Sequence, residues 1–133
     1  MTPVFADTFY YFAVLDEDDE AHAQAFALSE TLTAPVVTTA WVLTELADGY
    51  SDAEKKPAFL RLLRSLRRDP KCTIVPASEE LLQKGLELFR QRLDKDWPLT
   101  DCISFVVMQE HGIADALTGD HHFEQAGFNI LLK

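Results

Sequence analysis

Four carboxylates define the chemistry open to this chain. Asp7 ends a short apolar run, Glu45 sits among the apolar residues Val42, Leu43 and Leu46, Asp101 follows a Trp97-Pro98 turn, and Asp120 follows the run that ends at Thr118. Carboxylates drawn into one pocket repel each other and raise each other's pKa values, so at neutral pH they need bound cations or shared protons. A ligand set made only of oxygen suits Mg²⁺ or Mn²⁺, hard ions that keep several of their waters. Such ions activate water and stabilise charge on a phosphoryl centre. No Cys/His spacing in the chain suits zinc. Each acid also has a plainer role: Asp7 and Asp101 as helix caps, Asp120 as a turn residue, Glu45 as a solvated side chain. The apolar flanks of Glu45 favour the functional reading for that residue.

The intervening sequence supplies elements that would bring the four acids together. Short apolar runs at Pro3–Ala6, Pro35–Thr38, Thr73–Pro76, Ala114–Thr118 and Phe128–Leu132 predict strands. Between them, helical spacing of apolar residues predicts helices at Thr8–Leu15 and Asp19–Thr33. A helix from Ala40 to about Asp48 is expected to be capped by Thr39 and ended by Gly49. Ser51 and Glu54 have capping-box spacing for a helix running to Arg68, stopped by Asp69-Pro70. Ser78 caps a helix to Leu93, and Thr100 or Asp101 caps an apolar helix to His111 that ends at Gly112. Strands alternating with helices predict an α/β fold, a short-stranded parallel sheet covered on both faces. Ligands of such folds sit beyond the C-terminal strand ends, where Asp7 and Asp120 fall.

The length of 133 residues, with no repeat, low-complexity tract or linker, predicts a single domain over 1–133. Apolar stretches fall far short of the roughly 20 residues that span a bilayer, and the N-terminus lacks the basic start of a signal peptide. Cys72 and Cys102 read as reduced thiols in a cytoplasmic protein. The net charge of −10 argues against nucleic acid when taken whole. Resolved along the chain it is uneven: the segment Lys55–Lys71 carries +6 and the remainder −16. Arg61, Arg64 and Arg68 lie opposite the apolar stripe Phe59, Leu62, Leu63 and Leu66. They form either an ordinary solvated face or a contact for RNA or an acidic partner. The run Phe9, Tyr10, Tyr11 and Phe12 implies a helix buried on several sides or one covered by a partner.

Four segments, in order, carry a resemblance: Val4-Phe5-Ala6-Asp7-Thr8-Phe9-Tyr10, Thr44-Glu45-Leu46-Ala47-Asp48-Gly49, Leu99-Thr100-Asp101-Cys102-Ile103-Ser104-Phe105, and Ala116-Leu117-Thr118-Gly119-Asp120-His121-His122-Phe123. With the closing Ala126-Gly127-Phe128, the chain resembles PIN-domain nucleases, and within them the VapC-type toxins of toxin–antitoxin pairs. The resemblance implies a PIN-like three-layer α/β/α sandwich and a metal-dependent endoribonuclease using Mg²⁺ or Mn²⁺. It implies Asp7, Glu45 and Asp101 as catalytic metal ligands, with Asp120 as a more variable fourth. Thr8 or Thr100 would supply a supporting hydroxyl, and His121 and His122 read as turn or surface residues. The implied partners are an RNA substrate, an antitoxin protein and a second copy of the chain, with no membrane. Two other readings keep the fold: a non-catalytic interaction module in which the acids only cap helices, and a housekeeping RNA- or DNA-processing nuclease. A haloacid-dehalogenase-like site fails because Phe9 stands where a second Asp is needed. A receiver-like site lacks its paired acids and late Lys, and no Walker-type loop is present.

Overall fold

The computed structural model describes residues 2–133. Five short strands, β1 (Val4–Ala6), β2 (Val36–Thr39), β3 (Cys72–Val75), β4 (Asp115–Leu117) and β5 (Asn129–Ile130), form one parallel sheet in the order β3-β2-β1-β4-β5. Seven helices connect them among the described residues: α1 (Thr8–Leu15), α2 (His22–Thr31), α3 (Ala40–Gly49), α4 (Lys56–Arg68), α5 (Glu79–Gln91), α6 (Leu99–Glu110) and α7 (His121–Gln125). The chain winds outward from β1 to β3, then returns to β4 and β5. Right-handed crossovers therefore place α1 to α4 on one face and α5 and α6 on the other. The packing agrees, with α1 against α2 and α3, and α5 against α6. The predicted α/β sandwich is thus the observed fold. Val4, Phe5 and Ala6 of the central strand are all buried, which parallel strands covered on both faces require.

The local chemistry decides where helices begin. The Thr39 hydroxyl accepts from the Val42 amide and Ser78 from the Leu81 amide, both as predicted. The Ser51–Glu54 capping box does not form. The Ser51 hydroxyl turns back to donate to the Asp48 carbonyl, and α4 starts later, at Lys56, with Pro57 in its first turn. Neither Thr100 nor Asp101 caps α6; Pro98 holds that position and puts both residues inside the first turn. Gly49 is the last residue of α3 for want of space, because a Cβ there would lie 2.5 Å from the Phe12 ring. Gly112, with φ of +65°, does end α6 in the left-handed region that favours glycine. Helix α7 was not expected from the sequence; five residues carry too little periodicity to declare a helix.

A chain of aromatic rings ties the sheet to α6 and α7. Phe105 of α6 meets Trp97 edge-on at 5.0 Å and Phe123 of α7 edge-on at 4.9 Å. Phe123 in turn lies 6.3 Å from Phe5 of β1. Edge-to-face pairs add about 0.5–1.5 kcal/mol beyond their burial. Trp97 Nε1–H also donates to Gln125 Oε1 at 2.9 Å, fixing the segment before α6 to the end of α7. Tyr10 and Tyr11 are buried, Phe12 stacks on Tyr50, and Phe9 remains partly open. The thiols of Cys72 and Cys102 are free. No helix among the described residues is long and apolar enough to cross a membrane.

Helices α5 and α6 meet most closely at Gly85, where an added Cβ would stand 2.4 Å from Ile103 Cγ1. Gly85→Leu is therefore expected to lower stability by about 1–3 kcal/mol through overpacking, despite its better helix propensity. Urea denaturation followed by circular dichroism checks this; an unchanged midpoint would mean that the two helices do not pack at this residue.

Candidate active site

The strand order reverses at β1, whose neighbours are β2 and β4, so a crevice opens beyond the C-terminal ends of β1 and β4. Asp7 follows β1 directly, and Asp120 follows β4 after Thr118 and Gly119. Asp101 reaches the crevice from the first turn of α6, and Glu45 from the middle of α3. Asp7 and Asp101 are only 3% and 5% exposed. Asp7 stands at the N-cap position of α1, yet its side chain makes no capping bond. Asp101 makes none either. Asp120 does cap α7, accepting from the His122 amide at 2.9 Å.

Each acid is held by a specific donor. The Thr118 hydroxyl donates to Asp7 Oδ2 at 2.9 Å, and Thr118 Oγ1 itself accepts from the Asp120 amide at 3.1 Å. The Thr8 hydroxyl donates to Glu45 Oε1 at 2.5 Å. The Thr100 hydroxyl makes no hydrogen bond to the four acids among the described residues; its carbonyl instead accepts from Ser104. His122 Nδ1 lies 3.1 Å from Asp101 Oδ2 and 3.2 Å from Asp120 Oδ1. Its side chain is 19% exposed, so the reading of His122 as a turn or surface residue is corrected: it bridges two of the acids. His121, 71% exposed, keeps to the surface. Thr118 and His122 escaped the sequence reading. Local turn chemistry ties both to Asp120, but nothing local ties them to Asp7 or Asp101. Thr two residues before Asp120 is poised for a side-chain turn, and an Asp that caps a helix brings the second helical residue back beside it.

The electrostatics report one shared environment. Burial, foremost, pushes the Asp7 carboxyl up to about 6, aided by the charges of Asp120 and Glu45 and opposed by hydrogen bonds from Thr118 and the Thr8 backbone. Burial is also the first cause that holds Asp101 well above the usual carboxylate range, followed by the charges of Asp7 and Asp120. No Lys or Arg lies within ion-pair distance of Asp7 or Asp101 among the described residues; His122 is the only basic group so placed. The four acids are nonetheless not fully gathered. Among the described residues, only Asp120, His121 and His122 bring three ligand atoms within 4.8 Å of one another. Arg61, Arg64 and Arg68 stay apart from the acids. They line a separate open hollow of about 460 Å³ with Ser65 and Asp69, and no ion pair engages them among the described residues.

The raised Asp7 value has a sign that can be checked. The folded chain binds this proton more tightly than the unfolded chain, whose carboxyl titrates near 3.8. The contribution of Asp7 to stability is therefore fullest below about pH 4 and is lost as pH rises through about 6. Asp7→Asn removes the buried charge, so in chelator it is expected to raise the thermal midpoint at about pH 7.5, with the gain fading by about pH 4. A midpoint gain that does not vary with pH would contradict this.

The PIN domain profile matches residues 4–129. VapC20 of Mycobacterium tuberculosis, a sarcin–ricin loop cleaving toxin, shares the fold with a TM-score of 0.84 at 23% identity, over 94% of this chain and 95% of its own. FitAcB from Neisseria gonorrhoeae superposes with a TM-score of 0.69 at 17% identity, covering 96% and 95%. DNA-bound VapBC from Salmonella typhimurium gives 0.66 at 13% identity, covering 98% and 97%. No curated protein matches in sequence. With a profile that spans nearly the whole chain and a site at the switch point of the matching fold, the chain belongs to the PIN domain family.

Proposed function

We propose that this chain is a metal-dependent endoribonuclease of the toxin type, cleaving RNA phosphodiester bonds in the cytoplasm under restraint by an antitoxin protein, and acting as a homodimer. One observation carries the reading: Asp7 and Asp101 are buried at the switch point with no Lys or Arg among the described residues to neutralise them. Buried charges are otherwise paired or bound to metal. The donor set of oxygens from Asp7, Glu45, Asp101 and Asp120 fits a hard divalent ion, Mg²⁺ or Mn²⁺. When bound there, such an ion lowers the pKa of a coordinated water and offsets charge on the phosphoryl oxygens. The fold shared with a sarcin–ricin loop cleaving toxin supports RNA as substrate, and the VapBC complex supports an antitoxin partner.

The chain's own residues orient the acids. Thr118 fixes one oxygen of Asp7, Thr8 fixes one of Glu45, and His122 aligns Asp101 with Asp120. The remaining carboxylate oxygens are left for ligation, so the acids place the reacting groups rather than attack them. The free guanidinium groups of α4 supply the phosphate affinity that the acidic crevice lacks.

Mn²⁺ at a hundred times its dissociation constant is expected to stabilise the fold by about 2.7 kcal/mol, read as a rise in thermal midpoint, and Asp101→Asn should remove the rise. Asp7→Ala and Asp101→Ala should lose RNA cleavage while staying folded. An absent Mn²⁺ response together with full activity in both variants would overturn the assignment. Reversing charge at Arg61, Arg64 and Arg68 should weaken RNA binding and reduce the salt slope of log K by about two or more, since each phosphate contact on a single strand contributes about 0.7. An unchanged slope would leave α4 as a solvated face.

A further inference from the structure

A second hollow, of about 470 Å³, is lined by Phe9 and by residues that neighbour two of the acids in sequence. Its lining includes Phe9, Asp19, Glu20, Gln24, Gly119 and Lys133. Phe9 is two residues beyond Asp7, and Gly119 immediately precedes Asp120, so the hollow is built on the same two segments as the acids. Phe9 is 38% exposed, although it follows directly on Asp7 and Thr8, which are buried. Gly119 accounts for its placement. A Cβ there would lie 2.6 Å from the tip of the Phe9 ring and 3.0 Å from the Leu132 carbonyl, so the missing side chain lets the ring lie against the loop that carries Asp120.

We infer that this hollow receives an unpaired nucleobase of the RNA, the one flanking the phosphate held at the acids. The inference rests on the ribonuclease reading and names how that same site grips its substrate. Three observations select a base. A partly open aromatic ring offers a stacking platform, and bases stack on such rings whatever their identity. The rim is acidic through Asp19 and Glu20, which repels a phosphate but accepts the amino and imino N–H groups of a base edge. Lys133 is engaged by Glu124 at 3.1 Å, which weakens it as a phosphate anchor. Because Phe9 and Gly119 lie within two residues of Asp7 and Asp120, the occupant belongs to the same nucleic acid rather than to a separate ligand. A protein segment is the competing occupant, and the measurement below separates the two.

The probe is a fluorescein-labelled single-stranded RNA 10-mer, titrated into the chain carrying Asp7→Asn so that the probe survives. Adding Phe9→Ala should weaken binding by about tenfold or more, the scale of one lost stacked base. Phe9→Tyr should restore the parent affinity. Phe9→Trp should bind as the parent does, and its indole fluorescence should be quenched by the RNA but not by an abasic sugar–phosphate 10-mer. Equal affinity in Phe9→Ala and the parent, or equal quenching by the abasic polymer, overturns the base pocket and leaves the hollow to a protein segment. Cleavage of the same 10-mer by the unsubstituted chain with Mn²⁺ reports the nuclease reading separately. A chain that cleaves but is indifferent to Phe9→Ala refutes the base pocket alone, and one that neither cleaves nor binds refutes both.

Discussion

Like charges buried side by side are the constraint around which this fold is organised. Asp7 and Asp101 are removed from water at the point where the sheet changes direction, and each feels the other acids as repulsion. Left free, these side chains would swing apart or take up protons. Thr118 and His122 prevent the first by holding Asp7 and Asp101, while Thr8 does the same for Glu45, which is exposed. All the restraining donors are short side chains on rigid elements or tight loops, which is what a preorganised site requires. The crevice is therefore strained electrostatically in a way that a divalent ion would relieve, and the surrounding hydrogen bonds hold it in that state.

The aromatic chain explains how four separate segments keep the needed alignment. Phe105 is one helical turn from Asp101, Phe123 is adjacent to His122, and Phe5 is two residues before Asp7. These rings contact one another, so a displacement of α6 or α7 would disturb core packing as well as the site. Close packing at near-crystalline density resists such displacement. The close approach between the Phe9 ring and the loop at Gly119 depends on a residue without a side chain.

The fold was largely legible in the sequence because period and punctuation agreed. Five apolar runs separated by helical spacing left few topologies open, and Thr39 and Ser78 capped where their spacing indicated. Errors arose where two local signals competed. Ser51 found carbonyl acceptors behind it and abandoned the capping box, and Pro98 displaced Thr100 and Asp101 as the cap of α6. That displacement has meaning: an Asp that does not cap its helix leaves its carboxylate free for other work. His122 and Thr118 were hidden for a different reason. Their partners Asp101 and Asp7 are 21 and 111 residues away, and no local pattern encodes such contacts. The α4 cations, by contrast, were visible as a charge run, but only the structure shows Arg61, Arg64 and Arg68 without an ion pair among the described residues.

The parallel pairing of β1 with β4 carries a consequence for the order of events in synthesis. Phe5 pairs with Ala116 and Ala6 with Leu117, so the central strand lacks one neighbour until nearly the whole chain has been made. The first three strands with α1 to α4 can assemble as they emerge, since β1, β2 and β3 are sequential neighbours. The acidic crevice cannot, because Asp101, Thr118, Asp120 and His122 all come from the second half. Closing a contact across 111 residues is also entropically slow. The acidic crevice is thus the last part of the fold to be assembled, waiting on the segments that follow β3.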